Sequence, residues 1–122
     1  MFVGMARILV VEDHDHVLPV LCDALRGAGH HTDCVSTEAE GEVALRTTRY
    51  DLLICNIVLP DGSGRYLAEE AAKHSIKTLL LIGSPEEAHP LHISGVTELV
   101  KPFTLEHLLD IVAQLLETVD RN

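Results

Sequence analysis

The chain has 122 residues, 47% of them apolar, which suits one domain with one core and excludes a disordered segment. A formal charge of −10 excludes a surface built to track a phosphate backbone, and eight histidines make that charge sensitive to mild acid. No apolar run approaches the ~20 residues of a membrane helix, and "MFVGMAR" lacks the apolar stretch of a signal peptide; the expectation is a cytoplasmic protein with no membrane or nucleic-acid partner.

In chain order, "RILVV" (7–11) is apolar enough to be a strand covered on both faces. Val17, Leu18, Leu21, Leu25 and Ala28 then recur at helical spacing, with Pro19 in the first turns, where proline is tolerated, and Gly29 at the stop. "TDCV" (32–35) is a short second strand. Thr37 and Glu40 form a capping box ahead of a helix ending near Arg49. "DLLIC" (51–55) is the third strand, Pro60-Asp61-Gly62 a turn, and "GRYLAEEAAKH" (64–74) the third helix. "TLLLI" (78–82) and "ELV" (98–100) are the fourth and fifth strands, and a final helix capped by Thr104 runs to Val119. The three cysteines, Cys22, Cys34 and Cys55, are odd in number, far apart and without metal-ligand spacing, so they are expected as reduced, buried thiols.

Five alternations of strand and helix, with strands that are apolar throughout, predict a parallel sheet with helices on both faces. Ligands of such sheets sit at the carboxyl ends of the strands. At those exits stand Glu12 and Asp13, then Asn56, then Gly83 and Ser84, then Lys101 followed by Pro102. Paired carboxylates beside oxygen donors suit a hard divalent ion such as Mg²⁺, and a lysine beside them balances charge or holds a phosphoryl oxygen. The competing account, that the acids merely cap the next helix, explains one exit and not all four. His14 and His16 read as incidental solvent-facing residues rather than metal ligands, and His30 and His31 as a polar loop. Neither a P-loop nor a dinucleotide fingerprint occurs, and the acidic first loop disfavours a flavin phosphate.

The pieces "ILVVEDHD", "YDLLICNIVLPDGSG" and "LVKPF", in that order, resemble the receiver domain of two-component response regulators over residues 6–119, read as one domain. The resemblance implies a flavodoxin-like, doubly wound sheet of five parallel strands in the order 2-1-3-4-5, and a cis Lys101-Pro102 bond. It implies that Glu12, Asp13, the residue at 56 and the Val58 carbonyl form the Mg²⁺ site, and that Gly83, Ser84 and Lys101 stand at the phosphoryl-contact positions. The family's third-strand aspartate attacks a phosphohistidine; here that position is Asn56. Gly83 stands where a hydroxyl is usual, Glu98 where an aromatic switch residue is common, and Pro90 interrupts a fourth helix that should be shortened. These departures together point to a naturally degenerate receiver that binds protein partners without catalysis, with Mg²⁺ weak and Lys101 paired to Asp13 or Glu12. The partners implied are a histidine kinase, a phosphotransfer protein or another signalling protein, and a homodimer is compatible.

The alternative is a phosphorylatable regulator, with Asn56 engineered or Ser84 as substitute acceptor. A remoter one is a haloacid-dehalogenase-like phosphatase with Asp13 as nucleophile and Asp15 as acid/base, which lacks the late acids that family needs. In the last helix Leu105, Leu108, Leu109, Val112, Leu116 and Val119 share one side, while Ile111 and Leu115 widen the stripe. Those two either seal the edge of the core or, with Glu98 nearby, mark a contact face.

Overall fold

The computed structural model describes residues 6–87 and 93–119. The elements are β1 (Arg7–Val11), α1 (Val17–Gly27), β2 (His31–Val35), α2 (Glu38–Thr47), β3 (Leu52–Asn56), β4 (Val58–Leu59), β5 (Gly62–Ser63), α3 (Gly64–Lys73), β6 (Lys77–Ile82), a 3₁₀ turn (Pro85–Glu87), β7 (Val96–Val100) and α4 (Leu105–Val119). Five parallel strands form the main sheet in the order β2-β1-β3-β6-β7. The expected 2-1-3-4-5 differs from this in detail, because two further strands, β4 and β5, pair antiparallel in a small hairpin that the sequence reading took for a turn.

Period-two alternation splits the strand residues between two cores. Ile8, Val10, Leu52, Ile54, Leu79 and Leu81 meet Leu21 and Leu25 of α1 and Leu108, Val112 and Leu116 of α4. Leu9, Val11, Leu53, Cys55, Leu80 and Ile82 meet Leu45 of α2 and Leu67 and Ala71 of α3. Leu105, which the helical spacing puts inward, is 38% exposed at the first turn of α4. Ile111 and Leu115 are half-buried against the first core.

Local chemistry sets the helix ends. Thr37 accepts from the Glu40 amide at 3.1 Å, while the Glu40 carboxylate returns to the Ser36 amide at 3.2 Å, which holds that carboxyl below its usual range. The Asp61 carboxylate, at the tip of the β4–β5 hairpin, accepts from the Glu38 and Ala39 amides at 2.7 and 3.0 Å and is likewise lowered by them. Thr104 caps α4 through the His107 amide. Gly29, at φ 98°, turns the chain out of α1.

The expectation of three free thiols is overturned. Cys22 of α1 and Cys34 of β2 are joined in a disulfide, their Cα atoms 6.6 Å apart, and Cys55 is the free cysteine. Helix α1 returns along β1 and lies against β2, which brings two distant sequence positions side by side. Where a shortened fourth helix was expected, the described residues show the 3₁₀ turn at Pro85–Glu87; Pro90 lies outside them.

Candidate functional site

The carboxyl ends of β1, β3, β6 and β7 open on a cavity of about 530 Å³ lined by Asp13, His14, Val17, Asn56, Val58, Gly83, Glu87 and Lys101. Glu12, behind it, is fully buried, and both of its carboxylate oxygens are engaged. Oε1 lies 3.3 Å from Lys101 Nζ, as the sequence led us to expect for that lysine. Oε2 accepts from the His14 amide at 3.1 Å and lies 2.7 Å from His14 Nδ1. A buried carboxylate needs such partners. His14, read from sequence as incidental, is therefore part of the site even though its ring is 60% exposed.

Asn56 ends β3 and is 5% exposed. Its Nδ2 donates to Asp13 Oδ1 at 3.2 Å and to the Val58 carbonyl at 3.0 Å. One amide nitrogen has two hydrogens, and both are used here. The next turn is tight. The Gly64 amide donates to the Ile57 carbonyl, and a Cβ on Gly64 would stand 2.1 Å from the Asn56 carbonyl oxygen and 2.8 Å from Cys55 Sγ. Only glycine lets α3 start this close to β3. Cys55 is wholly buried beneath, and burial pushes its thiol far above the usual range.

Gly83, at the exit of β6, has no side chain to offer, and its amide donates to Glu87 Oε1 at 2.7 Å. A Cβ there would come within 3.2 Å of the same oxygen, so the glycine and the glutamate fit one another. Glu87 was not singled out from the sequence. Its role depends on the 3₁₀ turn, closed by the Glu87 amide on the Ser84 carbonyl, that folds it back over the strand end. Ser84 is half-buried and is not among the described residues lining the cavity. The Lys101-Pro102 bond is cis, as the family resemblance implied. Asp13 and Asp15 do not converge as a phosphatase pair: Asp13 meets Asn56, and Asp15 is exposed. Glu98 is exposed on β7, away from this cavity.

Asp13, Glu87 and Lys101 thus line one cavity, with Glu12 behind it, and among these carboxylates it is Glu12 that reaches the Lys101 ammonium. Glu12, Asp13 and His14 place one ligand atom each within 4.8 Å of one another. The oxygens of Asp13 and Val58 are of the kind Mg²⁺ takes. They fit that ion only after Asn56 turns its amide, because Nδ2 now donates to both. Glu12 is already committed to Lys101 and His14.

The family model described as the response regulator receiver domain matches residues 8–113. Among curated proteins, the transcriptional regulatory protein BasR of Escherichia coli (strain K12) is 32% identical over 107 residues, 84% of this chain and 48% of its own length. The chain spans about half the length of that relative. The response regulator receiver protein CpdR of Brucella abortus is 28% identical over 120 residues, 92% of this chain and 98% of its own length. Among solved structures, the response regulator TrrA of Thermotoga maritima, in complex with Mg²⁺-BeF, superimposes with a TM-score of 0.81 at 30% identity, covering 91% of this chain and 99% of that one.

Proposed function

The chain belongs to the response regulator receiver family, and from that premise we propose that it is a receiver that signals by binding other proteins, without phosphorylation of an aspartate. The observation that supports this reading best is the amide of Asn56. An acyl phosphate needs a carboxylate oxygen as nucleophile. Position 56 offers an uncharged amide, with its nitrogen turned toward Asp13 and the Val58 carbonyl. The NH₂ group thus occupies Asp13 Oδ1 and the Val58 carbonyl, two oxygens of the kind that would hold a divalent ion. The phosphoryl-contact positions tell the same story. Gly83 lacks a hydroxyl and its amide is taken by Glu87, Ser84 stands aside, and Lys101 is held by Glu12. A fourth negative group would enter a site that already holds three carboxylates.

Mg²⁺, when bound, would be held by Asp13, the Val58 carbonyl and a reoriented Asn56, and would supply charge neutralisation. With an uncharged amide at position 56 and Glu12 committed to Lys101, Asp13 is the one charged ligand left in that set, so binding is weak. The partner is a protein of two-component signalling: a histidine kinase, a phosphotransfer protein, or a second copy of the chain. Glu98 of β7 and the half-buried Ile111 and Leu115 of α4 are the candidate contact residues.

The deciding experiment is intact mass after incubation with a small phosphodonor and Mg²⁺. No adduct is expected. One added phosphoryl group, mapped to Asn56 or to Ser84, would overturn the reading in favour of an active phosphotransfer receiver. The Asn56→Asp variant should label only in part, because Gly83 still provides no hydroxyl.

A further inference from the structure

We propose that Cys22 and Cys34 form a reversible thiol–disulfide couple that exchanges with low-molecular-weight thiols and disulfides through Cys34 and, when oxidised, clamps α1 to the end of β2 beside the acidic loop. The two sulfurs sit in unlike places. Cys22 belongs to the first core and is 3% exposed. Cys34 lies on β2, an edge strand of the sheet, and is only half-buried. Arg26 Nη2, anchored on the Thr32 carbonyl at 2.9 Å, stands 3.9 Å from Cys34 Sγ. A fixed guanidinium favours a thiolate, and thiolate character with access is what makes a cysteine reactive. Cys34 is thus the entry sulfur and Cys22 the resolving one. The third thiol does not compete: Cys55 lies in the other core, wholly buried, with its ionisation suppressed by burial.

The chemistry balances with a glutathione-type disulfide as oxidant. Cys34 thiolate attacks one sulfur of that disulfide; its S–S bond breaks, a mixed disulfide forms on Cys34 and one thiolate leaves. Cys22 gives up its proton and attacks Cys34 Sγ. The second thiolate leaves, so two protein thiols are oxidised and one external disulfide is reduced to two thiols. Reduction runs in reverse, with a dithiol attacking Cys34 Sγ first.

The bond also has a structural lever. Val35, the residue after Cys34, accepts the backbone N–H of Glu12 at 3.1 Å. Helix α1, which carries Cys22, begins at Val17, three residues beyond His14. Oxidation therefore ties together the two segments that border the loop holding Glu12, Asp13 and His14.

The test equilibrates the full chain across glutathione redox buffers, quenches with acid, unfolds, alkylates with N-ethylmaleimide and reads intact mass. One modified cysteine, Cys55, is expected at the oxidising end and three at the reducing end. In the reduced native protein Cys34 should react first, and Arg26→Gln should slow it roughly fivefold. Hydrogen exchange across residues 12–17 should be slower in the oxidised form than in the reduced form of the same wild-type protein, a comparison that needs no variant to fold. Three modified cysteines at every glutathione ratio would overturn the proposal. So would a bond that resists excess dithiothreitol in the native state, or identical loop exchange in both forms.

Discussion

Replacing Asn56 by aspartate should destabilise the metal-free protein and make it depend on Mg²⁺. A carboxylate cannot donate, so the bonds to Asp13 Oδ1 at 3.2 Å and to the Val58 carbonyl at 3.0 Å are both lost. At about 0.5–1.5 kcal/mol each, that is roughly 1–3 kcal/mol. The new charge also faces the Asp13 carboxylate. Two like charges about 4 Å apart cost about 4 kcal/mol at an effective dielectric of roughly 20. Asp13 keeps 28% of its side chain in solvent, so most of that repulsion is screened, leaving about 1 kcal/mol. The sum, about 2–4 kcal/mol, is a large share of the ~5–15 kcal/mol that holds a domain together. In a chain this long each kcal/mol moves Tm by about 4 °C, which puts the variant roughly 8–16 °C below wild type in EDTA. Mg²⁺ bound at a hundred times its Kd would return about 2.7 kcal/mol to the variant. The wild type should gain little, because the ion must first displace the amide. Calorimetric melts of both proteins, with EDTA and with excess Mg²⁺, decide it. If the variant melts with the wild type in EDTA, or if the wild type gains as much from Mg²⁺ as the variant does, the account of the amide is wrong.

Three further outcomes are expected. Gly64→Ala puts a Cβ 2.1 Å from the Asn56 carbonyl oxygen; backbone cannot rotate out of the way, so urea unfolding should show a loss of about 3 kcal/mol or more. Burial and the Asp33 carboxylate, 2.7 Å from its hydroxyl, push the Tyr50 phenol up to about 12. A raised folded-state value means that this contribution to stability is complete below about pH 10, where the unfolded phenol starts to ionise, and is lost as pH rises toward 12; Tyr50→Phe should flatten the stability profile in that window. Ile111→Glu or Leu115→Glu should leave the circular dichroism spectrum intact and weaken self-association or partner capture by light scattering or pull-down; variants that simply unfold would assign both residues to the core.

Much of this protein was legible in its order of residues. Unbroken apolar runs such as "RILVV" and "TLLLI" place a strand between two helical layers, because a strand wet on one face would alternate. Thr37 and Thr104 announce the helix starts they cap, since a hydroxyl bonding an amide three residues on is a local event. The carboxyl-edge set of Glu12, Asp13, Asn56 and Lys101 follows from strand order, which chirality restricts to few choices. What an individual side chain does at that edge was decided only by the fold. Asn56 meets Asp13 across 43 residues, and Lys101 meets Glu12 across 89. Which oxygen each polar group faces depends on ångström-scale placement of chain segments that sequence periodicity does not encode. His14 looked incidental because nothing local shows that Glu12 is buried and needs a second partner. Glu87 was invisible for the same reason, its carboxylate reaching Gly83 only after the turn folds back. Cys22 and Cys34 pair because α1 lies against β2, and spacing along the chain carries no trace of that approach.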